Sequence, residues 1–150
     1  MGVTTAMCTS FKGELLGGTH DLDTNTIKIA LIKSGESGTY GAATTNYSNV
    51  TGNSDEASGT NYSSGGNTLA NPSVTGGSSA STAFVDFDDT SFTSATFTAR
   101  YAQIYRSDGS APTNNSVLVL DFGGDFTATS GTFTIQFPSA GTSTAVLRLA

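Results

Sequence analysis

The fold is decided by four apolar-rich runs in the last third of the chain: ATFTARYAQIYR at Ala95–Arg106, SVLVLDF at Ser116–Phe122, TFTIQF at Thr132–Phe137 and TAVLRL at Thr144–Leu149. Apolar and polar residues alternate along them, which is typical of strands with one buried face. Gly, Asp, Asn, Ser and Pro separate the runs, as turn residues do. We therefore predict a four-stranded β-meander with a turn between each pair of strands.

Further strands are predicted upstream of these runs. The first is Thr26–Lys33, in which Ile27 and Leu31 share one face. Weaker patterns predict two more, at Thr68–Thr75 and Ala83–Phe87. About seven to nine strands with no strand–helix alternation favour an all-β fold. The specific prediction is an antiparallel β-sandwich of jelly-roll-like type, built as a single domain over residues 1–150.

The N-terminal segment predicts a short helix over Thr5–Leu16. Met7, Phe11 and Leu15 recur at i, i+4 and i+8, so they would share one helical face. Their neighbours are mediocre helix formers, and the helix therefore needs packing to stabilise it. We expect this helical arm, residues 1–18, either to cap an open end of its own sandwich or to dock on a neighbouring subunit through these three side chains.

The region of residues 34–66 predicts a long loop excursion. It is rich in Ser, Thr, Asn and Gly, with Tyr40, Tyr47 and Tyr62 as its large side chains. A structureless loop of this length is unusual in a compact domain. Tyrosine is a frequent interface anchor because it combines apolar area with a polar tip. The three tyrosines are therefore interface candidates, unless they only hold the loop against its own domain.

Charge and composition argue against several functional classes. The chain has 12 acidic and six basic residues, for a net charge of -6. It has no basic stripe to neutralise phosphates, so we expect no direct nucleic-acid binding. Its acidity argues against an anionic membrane, and no run approaches the roughly 18 apolar residues of a membrane span. Cys8 is the single cysteine, so no intrachain disulfide is expected.

The residues that carry chemistry in other proteins do not form a recognisable catalytic pattern. His20 is the single histidine, and no serine lies in a Gly-x-Ser-x-Gly elbow. Asp86, Asp88 and Asp89 form an acidic cluster, in which Asp86 and Asp88 would lie on the same side of a strand as a carboxylate pair. A sugar site also needs an aromatic platform, usually with Trp, and this chain has no Trp. Residues 21–32 lack the Gly and Glu of a calcium loop. We expect a protein without enzymatic activity, cofactor or metal.

Several segments of the chain resemble small structural proteins of tailed bacteriophages, including cyanophages. The likeness covers most of the chain and is a similarity of pattern, with no catalytic motif in it. It lies in Val3–His20, Ile27–Leu31, Ser58–Tyr62 with Gly65-Gly66, Val119–Gly123 and Phe133–Pro138.

The resemblance implies a virion protein that is not an enzyme. Proteins of this kind include β-sandwich capsid decoration (cement) proteins, which are commonly homotrimers bound to the lattice of the major capsid protein. The expected location is the outer capsid surface, after assembly in the host cytoplasm. The alternative is a tail or neck adaptor, or a fibre-associated module. An acidic chain suits the outside of a DNA-filled head, and the lack of a disulfide suits a reducing cytoplasm.

Overall fold

The computed structural model of the protein describes residues 2–76, 81–109 and 113–150. It is mostly β, with 46% strand, 9% helix and antiparallel sheets, which confirms the prediction at the level of an all-β fold. The elements in chain order are β1 (Gly2–Val3), β2 (Ala6–Met7), α1 (Thr9–Leu16), β3 (Ile27–Ile32), β4 (Thr39–Tyr40), α2 (Ser48–Gly52), β5 (Asn67–Thr68), β6 (Ser73–Thr75), β7 (Ala83–Asp86), β8 (Thr90–Arg106), β9 (Ser116–Ile135) and β10 (Leu147–Leu149).

A five-stranded antiparallel sheet of order β2-β9-β8-β3-β5 contains most of the core. Strand β3 lies where the sequence predicts it and pairs with β8 from Ile27↔Arg106 to Ile32↔Tyr101. Both faces of this region are apolar, and Ile32 and Ile104 are buried together with their neighbours. Burial on both faces is what a central strand of a covered sheet requires.

The predicted four-stranded meander is wrong in its connections. Its second and third runs belong to one strand, β9, which pairs with β8 along most of its length in a long hairpin. The fourth run is β10, which joins β7 in a different sheet. The predicted turn between the first two runs includes residues 110–112, which lie outside the described residues.

A bulge replaces the turn predicted between Phe122 and Thr132. The pairs Ala99↔Phe126 and Tyr101↔Asp121 flank it, so the single residue Arg100 of β8 faces four residues of β9. Gly123 has φ 81°, a left-handed conformation that glycine adopts without a Cβ clash. Gly123 and Gly124, which are typical of a turn, therefore lie at a bulge that bends a continuous strand.

A three-stranded sheet of order β10-β7-β6 packs on the same core through Val85 and Leu147. The predicted strand Thr68–Thr75 is wrong as one unit, because β5 joins the five-stranded sheet and β6 joins this one. Asn71 separates them with φ 50°, which interrupts the extended backbone. A short parallel pair, β1 with β4, completes the described sheets.

The predicted start of the N-terminal helix is wrong, since α1 begins at Thr9. Ala6 and Met7 form β2 instead and pair with Val119 and Leu118 at the edge of the five-stranded sheet. Cys8 precedes the helix with extended backbone (φ −66°, ψ 138°) and donates its N–H to the Val117 carbonyl at 3.0 Å. A long-range strand pair therefore outweighs the weak local preference for helix.

Candidate interaction surface

An apolar groove of about 650 Å³ lies beside the bend of β9. The described residues that line it come from β9, from the segment between β9 and β10, and from Thr5. They are Thr5, Leu120, Asp121, Phe122, Phe126, Thr127, Thr132, Phe133, Thr134, Ile135, Gln136, Phe137, Pro138, Ala145 and Val146. Apolar side chains with a few polar groups are the usual lining of a binding site.

The bend in β9 creates the groove by bringing Phe122 and Phe126 beside the strand's second half. The ring centroids of Phe122 and Phe126 are 6.3 Å apart, and those of Phe122 and Phe133 are 6.5 Å apart. Phe133 is buried in the core, whereas Phe126 leaves 51% of its surface exposed. The groove therefore has a fixed aromatic floor and one large aromatic side chain at its rim.

Consecutive residues of the chain line this groove from Thr132 to Pro138. Successive side chains of a strand point to opposite faces, so a groove that contacts all of them must run along the strand's edge. Within the described parts of the chain, β9 pairs with β2 at Leu118 and Val119, and beyond that point with β8 alone. Among the described residues, the outer edge of its second half therefore has no strand partner.

Asp121 is the charged residue among the described residues that line the groove. Its backbone N–H donates to Thr5 Oγ1 at 2.8 Å, and its Oδ1 accepts the Gly123 N–H at 2.8 Å. Nearby Asp125 is 3.6 Å from the Arg100 guanidinium and accepts a hydrogen bond from Ser34 Oγ. Asp121 takes part in none of the ion pairs within residues 2–76, 81–109 and 113–150. Over the described residues, the groove is therefore mainly apolar with one negative charge, that of Asp121.

The interface residues predicted from the N-terminal arm pack on their own chain. Phe11 is completely buried, while Met7 and Leu15 are half-buried against the core. The exposed apolar residue of this segment is the neighbouring Leu16, at 90%. Phe11 therefore presents no surface to a partner, as expected if the arm caps its own fold.

The three predicted tyrosines are brought together by two adjacent carboxylates. Tyr40 is buried and donates its hydroxyl to Asp55 Oδ2 at 2.6 Å. Tyr47 and Tyr62 are half-buried and donate to opposite oxygens of Glu56, at 2.5 and 2.8 Å. Asp55 also accepts the backbone N–H groups of Ser37 and Gly38, and Glu56 accepts the backbone N–H of Gly65. The region of residues 34–66 is therefore not structureless. Its donors converge on Asp55 and Glu56 through hydrogen bonds, which order the excursion.

The carboxylates and burial shift the pKa values of this cluster. Burial, followed by the hydrogen bond to Asp55, raises the pKa of Tyr40 to about 12. Burial and the hydrogen bond to Glu56 raise the pKa of Tyr47 to about 12. Burial works to raise the pKa of Asp55, but the hydrogen bonds from Tyr40, Ser37 and Gly38 together lower it. All three groups therefore keep the protonation states that the hydrogen bonds need at neutral pH.

Several of the remaining chemistry-bearing residues make contacts within the described part of the chain. His20 Nε2 lies 2.6 Å from Glu14 Oε2, while Glu14 Oε1 accepts from Asn115 at 2.6 Å. Burial raises the pKa of the Cys8 thiol to about 11, which disfavours the reactive thiolate. Asp89 accepts the backbone N–H of Phe137. In the part of the chain that the structure describes, no three His, Cys, Asp or Glu residues are placed to hold a metal ion.

Sequence reasoning missed both residues that define the groove. Asp121 was placed in a strand without a role, and Phe126 fell in a supposed turn. A signal was present, since a phenylalanine in a stretch of Gly, Asp and Thr is unusual for a solvated turn. No predicted interface residue lines the groove.

Over the described residues, no helix is long and apolar enough to cross a membrane. Comparison with family models, with curated proteins and with solved structures found no match to this chain. The function is therefore inferred from the surface of the molecule and from the resemblance of its sequence.

Proposed function

We propose that this protein is a structural component of a phage virion, specifically a capsid decoration protein that binds and stabilises the lattice of the major capsid protein. The observation that carries the proposal is the apolar groove with half-exposed Phe126 on an otherwise polar, low-charge chain. Contiguous exposed apolar surface marks an interaction site in a monomer. The sequence resemblance supplies the identity of the partner.

The hydrogen-bond arrangement of the carboxylates supports a structural role over a catalytic one. Asp55 and Glu56 accept hydrogen bonds from Tyr40, Tyr47 and Tyr62, and so hold the loop in place. A general acid or base needs an oxygen within reach of a substrate. These acids are instead occupied by the protein's own donors.

The proposal includes features of assembly that stay predictions. They are a jelly-roll-like β-sandwich architecture, a homotrimer and a place on the outer capsid surface. A net charge of -6 suits that outer position, since a lining in contact with DNA would tend to be basic. Repetition over a lattice makes weak individual contacts sufficient, because linked contacts add avidity.

Fractionation of the virion tests the proposal directly. Heads and tails of the phage that encodes this chain are separated, and each fraction is analysed by mass spectrometry and by immunogold labelling. A decoration protein is recovered with heads and labels their outer surface. Recovery with tails or necks would overturn this assignment in favour of the adaptor or fibre-associated alternative. Absence from both fractions would overturn a virion role altogether.

A further inference from the structure

We propose that the open edge of β9 accepts an extended segment of the partner protein as an added strand, and that this segment carries apolar residues and a Lys or Arg. The proposal rests on the proposed function for the identity of the partner, the capsid protein. The mode of binding is argued from the groove itself.

The backbone of β9 provides the first argument. Beyond Val119, the described residues pair β9 with β8 only, and the groove follows the opposite edge from Thr132 to Pro138. An unpaired edge presents N–H and C=O groups that another strand can satisfy. Addition of an extended peptide to such an edge is a recurrent mode of recognition.

The aromatic side chains provide the second argument. An added strand directs alternate side chains to one face, and Phe122, Phe126 and Phe137 line the groove that it would enter. Phe126 is 51% exposed, so burying its ring under an added strand would contribute favourable free energy to binding. The face therefore selects apolar residues at alternate positions of the incoming segment.

Charge complementarity specifies the remaining feature. Asp121 lines the groove, and its carboxylate accepts the Gly123 N–H while its backbone N–H donates to Thr5. None of the ion pairs of the described residues includes it. A Lys or Arg in the segment would pair with this carboxylate. An acidic residue there would be repelled and would lower affinity.

A second copy of this chain does not meet these requirements. Within the described part of the chain, the strands that contain Lys or Arg are β3, β8 and β10. All three are paired in sheets, and the apolar-basic-apolar sequence of β10 begins with buried Leu147. A copy would have to unfold one of them to donate it. A different protein with a free extended segment is the better partner.

Selection from a random peptide library tests the mode of binding without the capsid. Displayed peptides of roughly eight to ten residues, which are long enough to form a strand, are selected on the purified full chain. Enriched sequences are expected to alternate apolar residues and to contain a Lys or Arg. A selected peptide is then synthesised with and without N-methyl groups on alternate amides. N-methylation on the paired side is expected to weaken binding about tenfold or more, because it removes the edge hydrogen bonds.

Variants of the protein locate the site. Phe126→Ser and Asp121→Asn are each expected to weaken peptide binding about tenfold. Val74→Ser and Asp125→Asn are the matched controls, because Val74 is 54% exposed in the other sheet and Asp125 is paired with Arg100. Both controls should bind as the unchanged chain does.

Four outcomes overturn the inference: no enrichment of extended peptides, binding that survives N-methylation, equal loss in the controls, or self-association that Phe126→Ser abolishes. The last would assign the groove to a second copy. Any of these four outcomes, together with intact capsid binding by the unchanged chain, would refute the inference and leave the proposed function standing. Peptide binding by a protein that fails to bind capsids would refute the proposed function alone.

Discussion

The Tyr40 hydroxyl donates a 2.6 Å hydrogen bond to Oδ2 of Asp55, and both side chains are buried. The same carboxylate accepts the backbone N–H groups of Ser37 and Gly38, and lies 3.6 Å from the Lys33 ammonium. One acid therefore joins the first part of the loop, residues 37–40, to position 55 within it. Removing a buried carboxylate with this many donors is expected to lower the free energy of unfolding, because each donor would lose its acceptor.

Asp55→Asn is expected to lower the free energy of unfolding by about 2–3 kcal/mol, because the amide cannot accept all these hydrogen bonds. Chemical denaturation gives this quantity. Asp125→Asn is the control, since its ion pair with Arg100 is exposed and is worth less than about 1 kcal/mol. Equal effects of the two variants would contradict the role of Asp55.

Acid should destabilise the protein through Asp55. Its pKa is lower in the folded protein than the ordinary 3.8, so the unfolded chain takes up a proton first as pH falls. The stabilisation is fully present above 3.8 and is lost as pH falls through the lowered pKa. Thermal melts across this range should show a steeper decline for the unchanged chain than for Asp55→Asn. Parallel declines would count against this linkage.

Alkali should destabilise the protein through Tyr40 and Tyr47. Their pKa values rise from 10.0 to about 12 on folding, so the unfolded chain loses these protons first. The stabilisation is fully present below pH 10.0 and is lost as pH rises through about 12. Tyrosinate absorbance and circular dichroism should therefore change together. Ionisation of both tyrosines at pH 10 without unfolding would argue against their hydrogen bonds to Asp55 and Glu56.

The N-terminal arm should contribute to the stability of the isolated chain. Phe11 is completely buried, and Phe11→Ala is expected to cost about 3–5 kcal/mol in the free energy of unfolding. Leu16→Ala, at a side chain that is 90% exposed, should change it by less than about 0.5 kcal/mol. If Phe11→Ala left the purified protein as stable as the Leu16 control, the arm would have to be an interface element instead.

The Cys8 thiol should resist alkylation in the folded protein. Its pKa rises from the ordinary 9.0 to about 11 on burial, which lowers the thiolate fraction about a hundredfold at about pH 8. Labelling by iodoacetamide, followed by mass spectrometry, should be slower by at least about this factor than in denaturant. Equal rates with and without denaturant would show that Cys8 is accessible.

The sequence predicts strands well where side-chain periodicity is local. Ile27 and Leu31 in β3, and Phe133 and Ile135 in β9, are buried as their alternation indicates. Prediction from the sequence fails where pairing with a distant strand determines the secondary structure of a segment. Ala6 and Met7 join a sheet edge more than 100 residues away along the chain, which helical spacing does not reveal.

The groove was harder to predict than the core, because it depends on a bend in a strand. Gly123 and Gly124 are equally compatible with a turn and with a bulge, and only the pairing across Arg100 decides between them. The sequence singles out the tyrosines of the long loop, either as interface anchors or as residues that hold the loop against its own domain. It does not single out their acceptors, Asp55 and Glu56, because a sequence does not show which donors will converge on an acid.

Binding of the Phe126→Ser variant to capsids tests the central claim most directly. Phage heads that lack this protein are incubated with the unchanged chain, with Phe126→Ser or with the Val74→Ser control, and bound protein is measured after sedimentation. If the groove on β9 is the contact surface, the unchanged chain and the control co-sediment with the heads. The amount of bound Phe126→Ser protein is then lower by about tenfold or more. Undiminished co-sedimentation of a folded Phe126→Ser protein would contradict it.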